Sequence, residues 1–167
     1  MKFSFFIINQ SPEGSDMKQV YDEGMEQIEL GDQLGYEGMF MAEHAFYHHG
    51  KPSSHVQLGN IAARTKRIRL GTAVAVLPWH NPIETAQDYA TVDLLSDGRL
   101  DFGVGRGLFK GEFDGYGVPW GEAQARFGET VESAVDALEV ILGSGIEEAM
   151  NRYNGPRDAG VEEEEDR

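Results

Sequence analysis

Short apolar runs alternate with longer amphipathic stretches along this chain, and four such pairs are counted before residue 142. That alternation is the signature of βα units around a parallel sheet. A strand covered on both faces reads as a nearly continuous apolar run, while its covering helix shows one apolar stripe. The first unit pairs a strand at residues 3–8 with a helix at 17–34, where Tyr21, Met25 and Ile28 share a face and Gly35 stops the helix. The second strand, 38–42, is short and runs straight into Glu43-His44, which places both side chains at its C-terminal end. A helix at 55–65 follows. The third strand, 68–76, is β-branched and alanine-rich. Asn81-Pro82 then opens a helix as N-cap and first helical residue, with Ile83, Ala86, Ala90 and Leu94 along its apolar face and Ser96-Asp97-Gly98 as its closing turn. A fourth strand at 99–104 leads through a long loop, 105–121, to a last helix striped by Phe127, Val131, Val135, Leu138 and Leu142.

The pattern stops there. Gly143-Ser144-Gly145 interrupts the helix, and Gly155-Pro156, Gly160 and an acidic run follow without a strand signal. The expected organisation is an α/β domain at 1–142 and an irregular acidic tail at 143–167. Four βα units are half of a (β/α)8 TIM barrel, which usually takes about 250 residues, and this chain has 167. The loss of periodicity after Leu142 reads as truncation. A half-barrel leaves two sheet edges unpaired, so a homodimer or a partner carrying the other half is expected.

Composition narrows the function. With no cysteine there are no disulfides, thiolate metal sites or cysteine nucleophiles, as expected of a cytoplasmic protein. No apolar run nears the roughly 18 residues of a membrane span, and the apolar start of the chain is too short for a signal peptide. A formal net charge of −15 disfavours nucleic acid as partner, because binding a polyanion needs clustered Lys and Arg. Part of that excess is local to the tail, with its run Glu162-Glu163-Glu164-Glu165-Asp166.

Parallel α/β folds bind ligands at the C-terminal ends of their strands. Three clusters qualify here: Glu43-His44 after the second strand, Leu77-Pro78-Trp79-His80-Asn81-Pro82 after the third, and Gly103-Val104-Gly105-Arg106-Gly107 after the fourth. A metal site from Glu43, His44, His48, His49 and His80 has suitable ligand types but fits no ligand spacing. The glycines 103, 105 and 107 lack the spacing of a dinucleotide fingerprint.

The ordered set Met41-Ala42-Glu43-His44, Leu70-Gly71-Thr72-Ala73-Val74, Leu77-Pro78, His80-Asn81-Pro82, Ser96-Asp97-Gly98-Arg99 and Phe102-Gly103-Val104-Gly105-Arg106-Gly107 resembles the bacterial luciferase-like flavin-dependent monooxygenases. The resemblance covers residues 1 to about 142. It implies a barrel whose C-terminal mouth holds reduced FMN, or the deazaflavin F420 in some branches. It also implies oxygen and a small-molecule substrate as reactants, and a flavin reductase as possible partner.

By motif position, His44 is then the active-site histidine, imidazole being the side chain suited to proton exchange close to neutral pH. Glu43 orients its imidazole, Ala73 and Val74 support the flavin ring, in the family sometimes through a non-prolyl cis peptide, and Arg106 contacts the flavin phosphate. Gly105 stands where luciferase has a cysteine, and Ala45 where it has a second histidine, so the chain is luciferase-like without being a luciferase. Taken without the family, His44 reads as a histidine that fixes a loop, Glu43 can as easily bond backbone amides, Arg106 can pair with a surface acid, and Ala73-Val74 can fill a crowded interior. An F420-dependent oxidoreductase on the same barrel and a non-catalytic half-barrel are the alternative functions.

Overall fold

The computed structural model describes residues 1–47 and 53–144, with side chains through Ser133. Four strands, β1 (Ser4–Ile7), β2 (Gly38–Met41), β3 (Arg69–Val76) and β4 (Leu100–Gly105), form a parallel sheet in chain order. Register aligns Phe6, Phe40, Gly71 and Asp101 in one row across it. The connecting helices are α1 (Met17–Leu34), α2 (Ser54–Arg64) and α3 (Pro82–Leu95). A short α4 (Lys110–Tyr116) and a long α5 (Ala123–Ser144) follow β4, and single 3-10 turns lie at Leu77–Trp79 and Trp120–Glu122. Two compact units are distinguished, Met1–Thr130 and Val131–Arg167. The first contains the whole sheet, and of the second only the backbone of α5 up to Ser144 is described in full. The predicted tail beyond Ser144 lies outside the described residues.

Helix ends follow local chemistry. The Asp16 carboxylate accepts the Lys18 N–H at 2.9 Å to start α1, and Gly35, with φ of 82°, closes it. Asn81 Oδ1 accepts the N–H groups of Ile83 at 2.9 Å and Glu84 at 3.3 Å, and Pro82 takes the first helical position, as its sequence predicts. The core lies between the sheet and α1–α3, where Met25, Ile28, Met39, Met41, Leu58, Ile61, Ile68 and Leu70 are buried. Each such side chain contributes on the order of 2 kcal/mol through the apolar surface it removes from water.

Arg99, in the turn before β4, locks the ends of three elements together. Its guanidinium donates to the carbonyls of Ser96, Ile68, Ala62 and Thr65 and to the Thr65 hydroxyl, at 2.7–3.2 Å. All five donors of an arginine are arranged in one rigid fork, which is why a single side chain can gather this set. The motif Ser96-Asp97-Gly98-Arg99 is therefore a structural joint at the N-terminal end of the sheet.

Two expectations are corrected. The buried face of α3 is Thr85, Tyr89 and Val92, whereas Ile83 and Leu94 are exposed at 46% and 79% and Ala86 and Ala90 are exposed too. Tyr89 wins the core position because its hydroxyl lies 2.8 Å from the buried Ser54 hydroxyl while its ring stacks on Phe102 at 4.0 Å. An amphipathic ring thus displaces the simpler aliphatic stripe. The loop predicted at 105–121 also contains α4. Two glycines in Lys110-Gly111-Glu112-Phe113-Asp114-Gly115-Tyr116 each cost a helix about 1 kcal/mol relative to alanine. The helix forms because Phe113 is fully buried among Val76, Trp79, Val118 and Ala123.

Candidate active site

At the C-terminal ends of the strands lies a cleft of about 270 Å³, lined by Ala42, Glu43, His44, Ala73, Val74, Val76, Gly107, Leu108 and Glu112. Residues 42–44 leave β2, residues 73–76 belong to β3, and the remainder come from the segment that follows β4 and from α4. The Ala73–Val74 peptide bond is cis.

Successive residues of extended chain project to opposite sides, so Glu43 and His44 part company at the strand end. Glu43 turns inward. Its Oε2 accepts the Val76 N–H at 2.7 Å and its Oε1 lies 2.8 Å from His80 Nε2, with none of the side chain exposed. His44 instead meets Glu112, whose Oε1 lies 3.0 Å from His44 Nδ1 and accepts the Ala45 N–H at 2.9 Å. Glu43 therefore holds His80, and the expected pairing of Glu43 with His44 is not formed. Among the described residues, the mouth carries two carboxylate–imidazole couples, Glu43–His80 and Glu112–His44.

Aromatic packing connects them. Trp79 stacks on Tyr116 at 5.2 Å and meets Phe113 edge-on at 5.6 Å. Burial pushes the Tyr116 hydroxyl pKa up, and the charges of both Glu43 and Glu112 push it further, so one phenol senses both carboxylates.

Burial opposes a charge on His80, but the hydrogen bond and negative charge of Glu43, with a smaller contribution from Asp88, outweigh it and raise its pKa above 6.5. A raised folded-state pKa stabilises the fold fully below the unfolded value and loses that contribution as pH rises through the folded value. Unfolding free energy should therefore contain a component that declines as pH climbs above about 6.5, and His80→Gln should remove it. Urea denaturation of both proteins between pH 5.5 and 9 measures this. Parallel pH profiles would refute it.

The other predicted residues are distributed as follows. Ala73 and Val74 line the cleft with Glu43 and His44, while Gly105 and Arg106 are not among its lining residues. A Cβ on Gly105 would sit 2.5 Å from Val74 Cγ2, so glycine there serves the contact between β4 and β3. The Arg106 guanidinium lies 5.1 Å from the centre of the Trp120 ring and makes no ion pair among the described residues. His48 and His49 lie outside the described residues, and no group of three or more metal-ligating side chains occurs among those described. Glu112 was missed because its partner is 68 residues away and nothing local marks it. His80 stood in a recognised motif, but its partner was visible only in three dimensions.

Comparison with known proteins decides the family. A model of the luciferase-like monooxygenases matches residues 1–157. The chain belongs to the luciferase-like monooxygenase family. Among curated relatives, it is 34% identical over 116 residues to the oxygenase component of a flavin-dependent trigonelline monooxygenase from Acinetobacter baylyi, covering 68% of this chain and 32% of that protein. Among solved structures, monooxygenase RslO1 from Streptomyces bottropensis superposes with a TM-score of 0.74 at 34% identity, over 79% of this chain and 41% of that one. The oxygenating constituent of 3,6-diketocamphane monooxygenase from Pseudomonas putida, solved with FMN, shares the fold with a TM-score of 0.74 at 19% identity, over 78% of this chain and 38% of that one. This luciferase-like chain spans 32–41% of the length of the first curated relatives it matches. No described helix is long and apolar enough to cross a membrane.

Proposed function

We propose that this chain carries the substrate-facing half of a luciferase-like monooxygenase, with reduced FMN bound at the cleft and a small organic molecule oxygenated beside His44. The observation that carries this reading is the cleft itself. At the C-terminal strand ends, a histidine held by a buried carboxylate shares one cavity with the small side chains of Ala42, Ala73 and Val74. Small residues leave a wall on which a flat ring can lie. Arg106 fits the phosphate, since it lacks a described carboxylate partner in a chain with 29 acidic and 14 basic residues.

When bound, reduced flavin supplies the electrons that activate oxygen. His44 then exchanges a proton with the reacting atoms, Ala73 and Val74 orient the ring, and Leu108 helps keep water from the cavity. Glu43 acts at one remove, pinning the Val76 N–H and His80 so that the end of β3 keeps its shape. Gly105 supports the same wall through Val74.

The trigonelline relative is named an oxygenase component, and a separate flavin reductase is the partner this reading implies here, in the cytoplasm where reduced cofactor is made. β1 and β4 are the edges of the described sheet, and Phe6 on it is 48% exposed. A second half-barrel, from another copy of this chain or from a partner, is the natural cover for such edges.

Anaerobic titration with reduced FMN, followed by fluorescence and run beside a sizing column, tests the proposal. Saturable binding followed by oxygen-dependent turnover supports it. Binding of F420 with hydride transfer and no oxygen uptake would replace it with the F420-dependent reading, and a folded chain that binds neither would leave a non-catalytic half-barrel. Arg106→Ala should weaken reduced FMN by about 10- to 100-fold, the worth of a hydrogen-bonded charge pair. Binding of riboflavin, which has no phosphate, should not change. Equal losses for both ligands would place Arg106 away from the phosphate.

A further inference from the structure

One short helix holds the histidine segment along its whole length. Residues 44–47 follow β2, and each meets α4 or the residue just before it. His44 and Ala45 meet Glu112, Phe46 packs on Tyr116 at 5.3 Å, and Tyr47 packs on Phe109 at 5.5 Å. Gly111 and Gly115 lie one turn apart on α4, on a common face. A Cβ at Gly111 would sit 2.7 Å from the Tyr47 hydroxyl oxygen, and one at Gly115 would overlap the Phe46 ring. Glycine weakens a helix by about 1 kcal/mol per position. Two of them in seven residues are explained by the close approach of this segment, not by helix formation. Glu112 lies between them and is 1% exposed.

We infer that Glu112 is the positioning residue for His44, fixing both the direction of the imidazole and the nitrogen that carries its proton. The functional meaning of this inference rests on the role proposed above for His44. The chemistry follows from a single oxygen. An ionised Glu112 has acceptor oxygens only, so Oε1, which already accepts the Ala45 N–H at 2.9 Å, takes the second hydrogen bond from His44 Nδ1 at 3.0 Å as donor. A neutral imidazole has only one N–H. With that proton on Nδ1, the lone pair resides on Nε2, which becomes the nitrogen that exchanges a proton. Because the same oxygen binds the backbone of the next residue, the ring and the strand end are held as one body. A partner on the second ring nitrogen sets tautomer and orientation in this way wherever histidine moves protons.

The test needs no cofactor. The full chain, labelled with 15N at histidine, is studied by long-range 1H–15N correlation at alkaline pH, with His44→Gln used to assign the signals. The Nδ1–H form of His44 should exceed the Nε2–H form by at least about tenfold, a ratio that one hydrogen bond to a charged group sustains. Glu112→Gln keeps an acceptor oxygen and should preserve the preference, and Glu112→Ala should abolish it. A wild-type spectrum showing the Nε2–H form would overturn the inference, even if the alanine variant does not fold. Unchanged His44 signals in a folded Glu112→Ala chain would overturn it too. Failure to bind flavin would sink the proposed function without altering these spectra, so the two results are separable.

Discussion

His44→Ala should lower oxygen-dependent turnover by at least about a hundredfold, the lower end of what a positioned acid–base group contributes, while reduced FMN still binds. Two features of the cleft lead to this expectation. His44 lines the cavity next to Ala73 and Val74, and Glu112 holds its ring in one direction. Removing the imidazole takes away proton exchange and leaves the Arg106 side chain and the small-residue wall intact. Flavin affinity should therefore change much less than turnover, and a split between the two is the diagnostic result. Stopped-flow oxidation and steady-state oxygen uptake measure the rate, and anaerobic titration measures binding. Added free imidazole should restore part of the lost rate, because the variant leaves a space of the right shape. If turnover is unchanged in His44→Ala, the histidine is a structural fixture and the acid–base group must be sought elsewhere in the cleft.

The second large effect is on stability. Glu43→Ala should destabilise the protein by about 1–3 kcal/mol, the usual result of leaving a buried N–H without its acceptor. Its carboxylate satisfies the buried Val76 N–H and His80 Nε2 at once, and nothing else described replaces it. The alanine leaves both groups without an acceptor and opens a void beneath the cleft. Glu43→Gln should cost less, because its amide oxygen can still accept the Val76 N–H. The difference between the two variants separates the hydrogen bonds from the charge. Urea unfolding midpoints provide the measurement, and an alanine variant as stable as the wild type would show that the couple holds nothing together. Set beside Glu112→Ala, Glu43→Ala parts the two acidic residues of the cleft: Glu43 is expected to act on stability first, and Glu112 on the histidine beside it.

Much of this architecture is legible in the sequence. The strand at Gly38–Met41, the capped helix beginning at Asn81-Pro82 and the turn at Ser96-Asp97-Gly98 all follow from local rules, because a period of hydrophobicity, an N-cap or a left-handed turn is decided within a few residues. The same holds for the position of Glu43-His44, since a strand that stops at Met41 must deliver both residues to its C-terminal end. The buried face of α3 was not legible in this way. Tyr89 lies off the stripe of Ile83, Ala86, Ala90 and Leu94 that the sequence offers, and Ser54 and Phe102, which meet it in the core, lie in no window of α3.

The amino-acid sequence alone determined the four βα units and the end of the sheet where ligands can bind, and the family resemblance pointed to His44, Ala73 and Val74, which the fold brings to one cleft there. Only the tertiary structure decided which acid serves which histidine. The partners of the two couples are separated by 37 and 68 residues, and a pairing at that distance depends on where α4 docks. That docking is set by Phe113 in the core and by the glycines facing Phe46 and Tyr47, none of which carries charge. Hydrophobic packing therefore places Glu112, and the hydrogen bonds follow from the placement.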